Sequence, residues 1–597
     1  MKKKNMFPKL IIALLITFLL PIGKSSAGPQ IPQATLNSSI EYQEIDGFGV
    51  SQSADIYADQ LYEHNKRDEI MDLLFSDENG IGLSILRSEV GSGLNMPTIH
   101  PDINTWDFTA YEPEQWVMHE AKNRGVETFM STVWSPPAWM KTNNRITRGG
   151  KLKREYYGEY AQYLAEYAKG YNQYHDINID AISIANEPEY AASWQSNLWS
   201  GEDFRLFVRD YLKPTFEREN LDTKIIVGEE GTFTDKRLKP IYDDQQALDS
   251  VDIIGTHYYH GKPYVFEQAK DNGKKVWLTE TSETILSDTG FKDGVKWSKN
   301  IHDTLTKADA NAFIFWLGAA YKNNNESLIR LTDQDNYIDA KRLYSMGNYS
   351  KFIKPGFKRI DITENPTGNL YLSAYKNEDS GEVVIVAVNN GQNNESIDLK
   401  FDDVTLQKLT PYFTNDKYNL EESSDIMVND GSVRLNVSGY TTATFVGNVN
   451  DQVSEESNDY RLDDNLDDWS KISYRSDNWY LDSYNPYNGF DHDYSRARRT
   501  KKTSEYLVYK LDNISDFNAS LYYYKVLDGL RFEVSNDGEN WNQIDYQTDQ
   551  PRLTGGYWEH VNVYPANPLP EGVNYLKIIF DQGDRRWDKQ LSSIKIN

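Results

Sequence analysis

Between residues 45 and 353 a short apolar, β-rich run alternates eight times with a stretch of helical spacing, and no other feature narrows the fold so far. The runs fall at residues 45–50, 83–90, 127–134, 181–188, 224–229, 251–259, 275–281 and 311–318. Apolar residues at 3.6-type spacing fill the gaps, most plainly over 154–174, 203–218 and 296–308. Strands joined through helices run parallel, and eight such units predict an α/β chain closed as a (β/α)8 barrel over residues 45–354. A doubly wound open sheet competes, but it needs a glycine-rich phosphate loop after its first strand. Here Gly47-Phe48-Gly49 lacks the third glycine and the helix start.

The 597 residues exceed one ordinary domain, and the remainder reads as all-β. Residues 355–447 hold alternating runs at 370–375, 382–388, 396–401 and 441–446, so a side β-domain is expected there. Residues 28–44 are expected to add a strand to it, through the alternating segment 35–43. The polar, acidic segment 448–459 reads as a linker. Residues 460–597 predict a β-sandwich, with runs at 505–511, 520–526, 531–534, 560–564 and 575–580 and hairpin chemistry at Ser535-Asn536-Asp537-Gly538.

At the N-terminus Lys2, Lys3, Lys4 and Lys9 accompany an apolar run at residues 10–22, and Ser25-Ser26-Ala27 supplies small residues. This is the pattern of a secretory signal over residues 1–27, too short to span a bilayer, so a secreted, extracellular protein is expected. A formal charge of −27 repels polyanions and argues against nucleic acid and anionic membrane as partners. The absence of cysteine removes a disulfide scaffold, thiolate metal sites and a cysteine nucleophile. No histidine pair has metal-ligand spacing, and no complete calcium loop surrounds Asp491-His492-Asp493. No metal and no organic cofactor is expected.

Barrel chemistry sits at the C-terminal ends of the strands. The fourth run ends in Asn186-Glu187-Pro188 and the seventh in Leu278-Thr279-Glu280, which places two carboxylates on one rim. A lone rim carboxylate reads as a solvated charge; two that face each other can serve as acid and nucleophile in glycoside hydrolysis. Trp134, Trp139, Tyr258, Tyr259, Trp316 and Tyr321 fall at or just past strand ends, where aromatic faces suit pyranose rings. Asn186, His257 and Arg87 are expected to hydrogen-bond sugar hydroxyls. The run from Trp134 to Trp139 contains Pro136 and Pro137, which stiffen the turn holding its two indoles.

These residues carry a family resemblance. The segments 45–49, 81–87, 134–141, 186–188, 277–280 and 349–356 resemble glycoside hydrolase family 30, over roughly residues 30–447, and within it the bacterial xylanase branches. The resemblance implies a retaining mechanism, with Glu187 as acid/base, Glu280 as nucleophile and Asn186 on the sugar 2-hydroxyl. It implies an endo-β-1,4-xylanase-like enzyme acting on plant cell-wall xylan, of glucuronoxylan or arabinoxylan type; a monomer is expected. The glucuronate-requiring branch has an arginine-rich loop after strand eight. Here residues 316–326 contain no arginine, and Lys322 is the one cation. A β-1,6-galactanase or β-1,6-glucanase shares the same machinery and stands as the alternative. A ceramide-type substrate would want an apolar rim, which Asn323-Asn324-Asn325 opposes. A non-catalytic carbohydrate-binding surface protein would lack one of the two carboxylates, and both are present.

The tail resembles, more loosely, the galactose-binding-like sandwich of carbohydrate-binding modules. Trp469, Trp479, Tyr480, Tyr484, Tyr487, Tyr557, Trp558 and Trp587 are its candidate stacking residues, with Arg585, Arg586 and Asp491 as polar contacts.

Overall fold

Eight parallel strands close on themselves: β1 (Gly47–Ser53), β2 (Ile85–Glu89), β3 (Thr128–Thr132), β4 (Ala181–Ser183), β5 (Lys224–Thr232), β6 (Ile253–His260), β7 (Lys275–Glu280) and β8 (Ala312–Phe315). The computed structural model describes residues 31–93, 96–109, 111–450, 460–483, 490, 495–549, 551–554 and 558–597. The signal-like segment 1–27, residues 451–459 of the linker, and Tyr484, Tyr487, Asp491 and Tyr557 lie outside these. Each barrel strand has one face on the barrel lumen and one on the helices. That explains why the runs are continuously apolar rather than alternating. Ile85, Met130, Ala181, Ile226, Ile253, Trp277, Ala312 and Ile314 form the inner core.

The helices supply the outer layer. In Phe291–Lys307 the buried Val295, Trp297, Ile301 and Leu305 share one stripe against the barrel. In Tyr157–His175 the stripe is Tyr160, Leu164, Ala168 and Tyr171. The helix expected over 203–218 is instead Gly201–Phe207, one π turn at Val208–Leu212, and Lys213–Glu219. Pro214 explains the interruption: it has no N–H to donate back along the helix. The fourth strand is shorter than the expected 181–188. It ends at Ser183, and Glu187, ahead of Pro188, adopts φ +43, which takes the chain out of any strand conformation there.

The strand Gln33–Glu44 does join the side domain, antiparallel to Lys358–Ile362 and parallel to Glu395–Phe401. In Glu382–Asn389 the period of two divides the side chains. Val383, Ile385 and Ala387 face the side-domain core, while Val384, Val386 and Val388 join the barrel's. Polar ties reinforce this packing: Asn348 Nδ2 donates to Thr444 Oγ1 over 3.0 Å, and Ser298 and Thr442 hydroxyls meet at 2.6 Å.

The tail is a sandwich of two sheets around Leu507, Phe517, Leu521, Phe532, Val561, Ile578 and Ile594. Two of its expected stacking residues are core instead. Trp479 packs on Phe580 and donates Nε1–H to the Tyr506 carbonyl, and Trp558 is buried against Phe490. No helix among the described residues is long and apolar enough to cross a membrane.

Candidate active site

Glu187 and Glu280 emerge side by side at the C-terminal rim, with a carboxylate oxygen of each and His257 Nδ1 all within 4.8 Å of one another. Glu280 ends β7. Both its oxygens accept hydrogen bonds, Oε2 from Arg87 Nη1 at 2.6 Å and Oε1 from the Tyr259 hydroxyl at 2.8 Å. Glu187 sits just past β4 in a left-handed conformation that only strong local constraint sustains in a non-glycine residue. The constraint is visible: its N–H donates to the Glu229 carbonyl, and its own carbonyl accepts from Tyr190 N–H.

Beneath the pair lies a buried ionic network. Arg87 is wholly buried; besides Glu280 it donates Nη2 to Glu229 Oε2 at 2.9 Å and to Asn186 Oδ1 at 2.7 Å, and Nε to Thr132 Oγ1 at 3.1 Å. Its guanidinium also lies 4.6 Å from the Trp134 ring. His257 stands at ion-pair distances rather than in hydrogen bonds: 3.6 Å from Glu187, 3.5 Å from Glu229 and 3.8 Å from Glu280. Burial opposes its charge, but the Glu280, Glu187 and Glu229 carboxylates outweigh that and push it up to about 10. As an imidazolium it offers no lone pair, so this cluster is poorly suited to hold a cation. Burial likewise disfavours the Glu229 carboxylate, but Arg87 and His257 hold it below its ordinary value. Three carboxyl groups thus surround Arg87 and His257 at the floor of the site.

Glu229 was missed in the sequence, although its position carries the same signal as the other two: a carboxylate at the end of the run 224–229. A bulge at Gly228–Glu230 and a φ of +62 turn it inward. Arg87 and His257 need correction for the opposite reason. Expected to touch sugar hydroxyls, both are buried below the rim and act on the carboxylates.

The cleft above has a volume of about 1090 Å³. Trp134, Asn186, Tyr259 and Trp316 line it as expected, joined by Tyr57, Tyr190, Trp194 and Gln195. Trp139, Tyr258 and Tyr321 do not. The 3-10 turn Ala138–Met140 swings Trp139 out to donate to the His100 carbonyl. Tyr258 alternates with His257 and Tyr259 on β6, so it points outward, against Phe233. Tyr321 lies on the surface, its backbone N–H on Gln60 Oε1. The cleft is acidic: Glu89, Glu187, Glu189, Glu280, Glu283 and Glu326 line it with a single lysine, Lys322, which is tied to Glu326 at 2.8 Å.

Over residues 45–329 the chain matches the family model described as glycosyl hydrolase family 59. A glucuronoxylanase of Bacillus subtilis (strain 168) is 29% identical over 455 residues, covering 74% of this chain and 98% of that protein. A galactocerebrosidase of Mus musculus is 27% identical over 53% of this chain and 44% of its own length. Among solved structures, a glycoside hydrolase family 30 subfamily 8 xylanase from Clostridium acetobutylicum aligns with a TM-score of 0.60 at 29% identity, over 70% of this chain and 99% of its own. The catalytic domain of a family 30 xylanase from Talaromyces cellulolyticus aligns with a TM-score of 0.63 at 27% identity, with the same coverage of both chains.

Proposed function

We propose that this chain, a glycoside hydrolase of the family 30 xylanase type, is a secreted enzyme that cleaves β-1,4-xylan by double displacement. The observation that carries the mechanism is the proximity of Glu187 and Glu280, with oxygens within 4.8 Å. Retaining enzymes hold their carboxyl groups about 5–5.5 Å apart, whereas inverting enzymes need about 6.5–9.5 Å to admit a water. Glu280, its two oxygens fixed by Arg87 and Tyr259, attacks the anomeric carbon while the Glu187 proton passes to the departing glycosidic oxygen. Water then enters, gives its proton to Glu187 and displaces Glu280, so the product keeps the substrate's anomeric configuration. Asn186 gives its amide oxygen to Arg87, which leaves its N–H donors for a sugar hydroxyl.

The substrate assignment rests on the xylanase relatives and on the charge of the cleft. Lys322, the one cation after strand eight, is already neutralised by Glu326; Glu280 and Glu283 are paired with Arg87 and Lys296, and Glu89, Glu187 and Glu189 line the same cleft with no further lysine or arginine among its described lining residues. Such a surface suits a plain or arabinose-bearing xylan backbone and repels a uronate. Secretion is read from the signal-like N-terminus.

Product analysis tests the whole reading. The protein would be incubated with linear xylan, glucuronoxylan, arabinoxylan, β-1,6-galactan and β-1,6-glucan, with Glu280→Gln as blank. Xylo-oligosaccharides from the undecorated chain, released first as the β-anomer by NMR, are the expected result. Release only from a β-1,6-linked polymer would overturn the substrate, and an α-anomer first would overturn the mechanism.

A further inference from the structure

Away from the cleft, a cluster of positive charge in excess of its acids stands out among the described residues of this acidic chain, and it sits on the tail sandwich. Lys501, Lys502, Arg585, Arg586 and Trp587 line a groove of about 490 Å³, with Asp584 among them. The four cations are exposed. Of the acids nearby, Asp588 is committed to Arg499 at 2.6 Å and Asp581 to Arg531 at 2.7 Å, so Asp584 alone faces the four cations among the described residues. Four like charges held together in water repel one another, and a chain of net charge −27 has acids to spare for neutralising them.

The groove is built rather than incidental. Its cations come from two loops, one after the strand Arg496–Arg499 and one before the strand Lys589–Ile596. Buried Arg499 fastens the loops together, donating to the carbonyls of Thr503, Asp581 and Arg585 and to the Asp588 carboxylate. Gly583 N–H adds a bond to the Lys502 carbonyl at 3.3 Å. There is no room for a side chain at Gly583, since a Cβ would stand 2.6 Å from Asp588 Oδ2 and 2.9 Å from Arg499 Nη2. Arg585 lies 4.8 Å from the Tyr524 ring and 4.9 Å from that of Trp587, so its guanidinium is positioned before any ligand arrives.

We propose that this groove binds uronic acid residues carried on a polysaccharide. A uronate brings one carboxylate, for charge-assisted bonds from guanidinium and ammonium groups, and a pyranose C–H face for an indole edge or face. A neutral xylan uses none of the four charges. The cleft and the tail would then divide the labour by sign: the acidic cleft admits neutral backbone, while the basic groove on the tail holds the acidic decorations of the same polymer. This rests on the reading of the chain as a polysaccharide hydrolase. The test is one of binding by an inactive chain, so it fails or succeeds independently of which bond the barrel cuts.

Full-length Glu280→Gln protein would be titrated calorimetrically with glucuronoxylan and with the same polymer after reduction of its carboxyl groups to alcohols. Binding at least tenfold weaker to the reduced polymer is expected. Adding Lys501→Gln, Lys502→Gln, Arg585→Gln and Arg586→Gln should weaken binding of the native polymer by a similar factor and leave the reduced polymer unaffected. Trp587→Ala should weaken the native polymer as well. Equal affinity for the two polymers overturns the proposal. So does a charge variant, folded by circular dichroism, that binds glucuronoxylan as tightly as its parent. Polyphosphate competing as well as glucuronoxylan at equal charge overturns it in favour of a general anion surface. If the fourfold variant fails to fold, the comparison of the two polymers on the unaltered tail decides.

Discussion

Arg87 and Glu280 form a buried ion pair under the catalytic rim, Nη1 to Oε2 at 2.6 Å, and the same guanidinium serves Glu229 at 2.9 Å. The charges therefore depend on one another. Replacing Arg87 by Met leaves Glu229 and Glu280 with His257 as their one remaining cation among the described residues and should cost about 3–5 kcal/mol of stability. Denaturant unfolding would measure it. A loss below ~1 kcal/mol would mean that the network contributes little to holding the carboxylates.

Gly231 gives a cleaner probe of geometry. A Cβ there would lie 3.0 Å from Glu187 Oε1 and 3.4 Å from Glu189 Oε1. Gly231→Ala should displace the acid without touching the core, lowering kcat on the order of tenfold while KM and melting temperature change little. Unchanged kcat would mean that Glu187 has slack in its position.

Replacing Glu187 tests its proposed acid/base role, because the two half-reactions of the proposed double displacement need it differently. Glu187→Ala should reduce hydrolysis of xylan on the order of 10²–10⁴-fold. An aryl xyloside with a good leaving group needs no proton for the first step, so its glycosyl-enzyme should accumulate, and added azide should restore turnover. Failure of azide to accelerate the variant would argue that Glu187 has another role.

Glu114 makes stability depend on pH at a distance from the site. It is buried in the helix Glu112–Asn123, and burial pushes its carboxyl up to about 8, against the opposing bond from the Tyr171 hydroxyl at 2.5 Å. A folded value above the unfolded one means that the contribution is complete below about 4.5 and lost as pH rises through about 8. Glu114→Gln should therefore gain on the parent by at least ~1 kcal/mol between pH 5 and pH 8.5. Parallel denaturation curves at the two pH values would show it; an equal difference at both would refute the assignment.

If the tail binds polysaccharide as proposed, deleting residues 460–597 should weaken activity on insoluble xylan, through lost local concentration, and spare it on soluble xylo-oligosaccharides. Equal loss on both substrates would show that the tail instead supports the barrel.

The barrel was legible because its signal is long and repeated: eight apolar runs at strand length, each followed by helical spacing. Glu280 was legible because it ends a strand and so lies on the rim, and Glu187 because the segment just past β4 reaches the same rim. The strand Lys589–Ile596 was not, since Lys589, Gln590, Ser592, Ser593 and Lys595 leave its apolar face to Leu591, Ile594 and Ile596 across a bulge that breaks the period of two. Side-chain direction was the other failure. Tyr258 and Trp139 sit at the right height on the barrel, but strand parity and a 3-10 turn send their rings away from the cleft. Arg87 and His257 were found, yet depth below the rim, which decides whether they meet sugar or carboxylate, is a property of the closed barrel alone.

The strand Gln33–Glu44 bears on how the chain comes into being. It is synthesised before the barrel, but its partners, Lys358–Ile362 and Glu395–Phe401, follow only after the whole barrel has been made. Joining them closes a very long loop, a contact of the kind that sets folding late and slow. Until then the segment waits as an unpaired edge, open to other chains. Its composition suits that wait: Asn37, Ser38, Ser39, Glu41, Gln43 and Glu44 make it a poor template for self-association. Once the partners arrive, Glu41 takes Lys358 at 2.8 Å and Lys376 at 2.6 Å. A charge that guards the nascent strand thus becomes a latch that fastens it into the side domain.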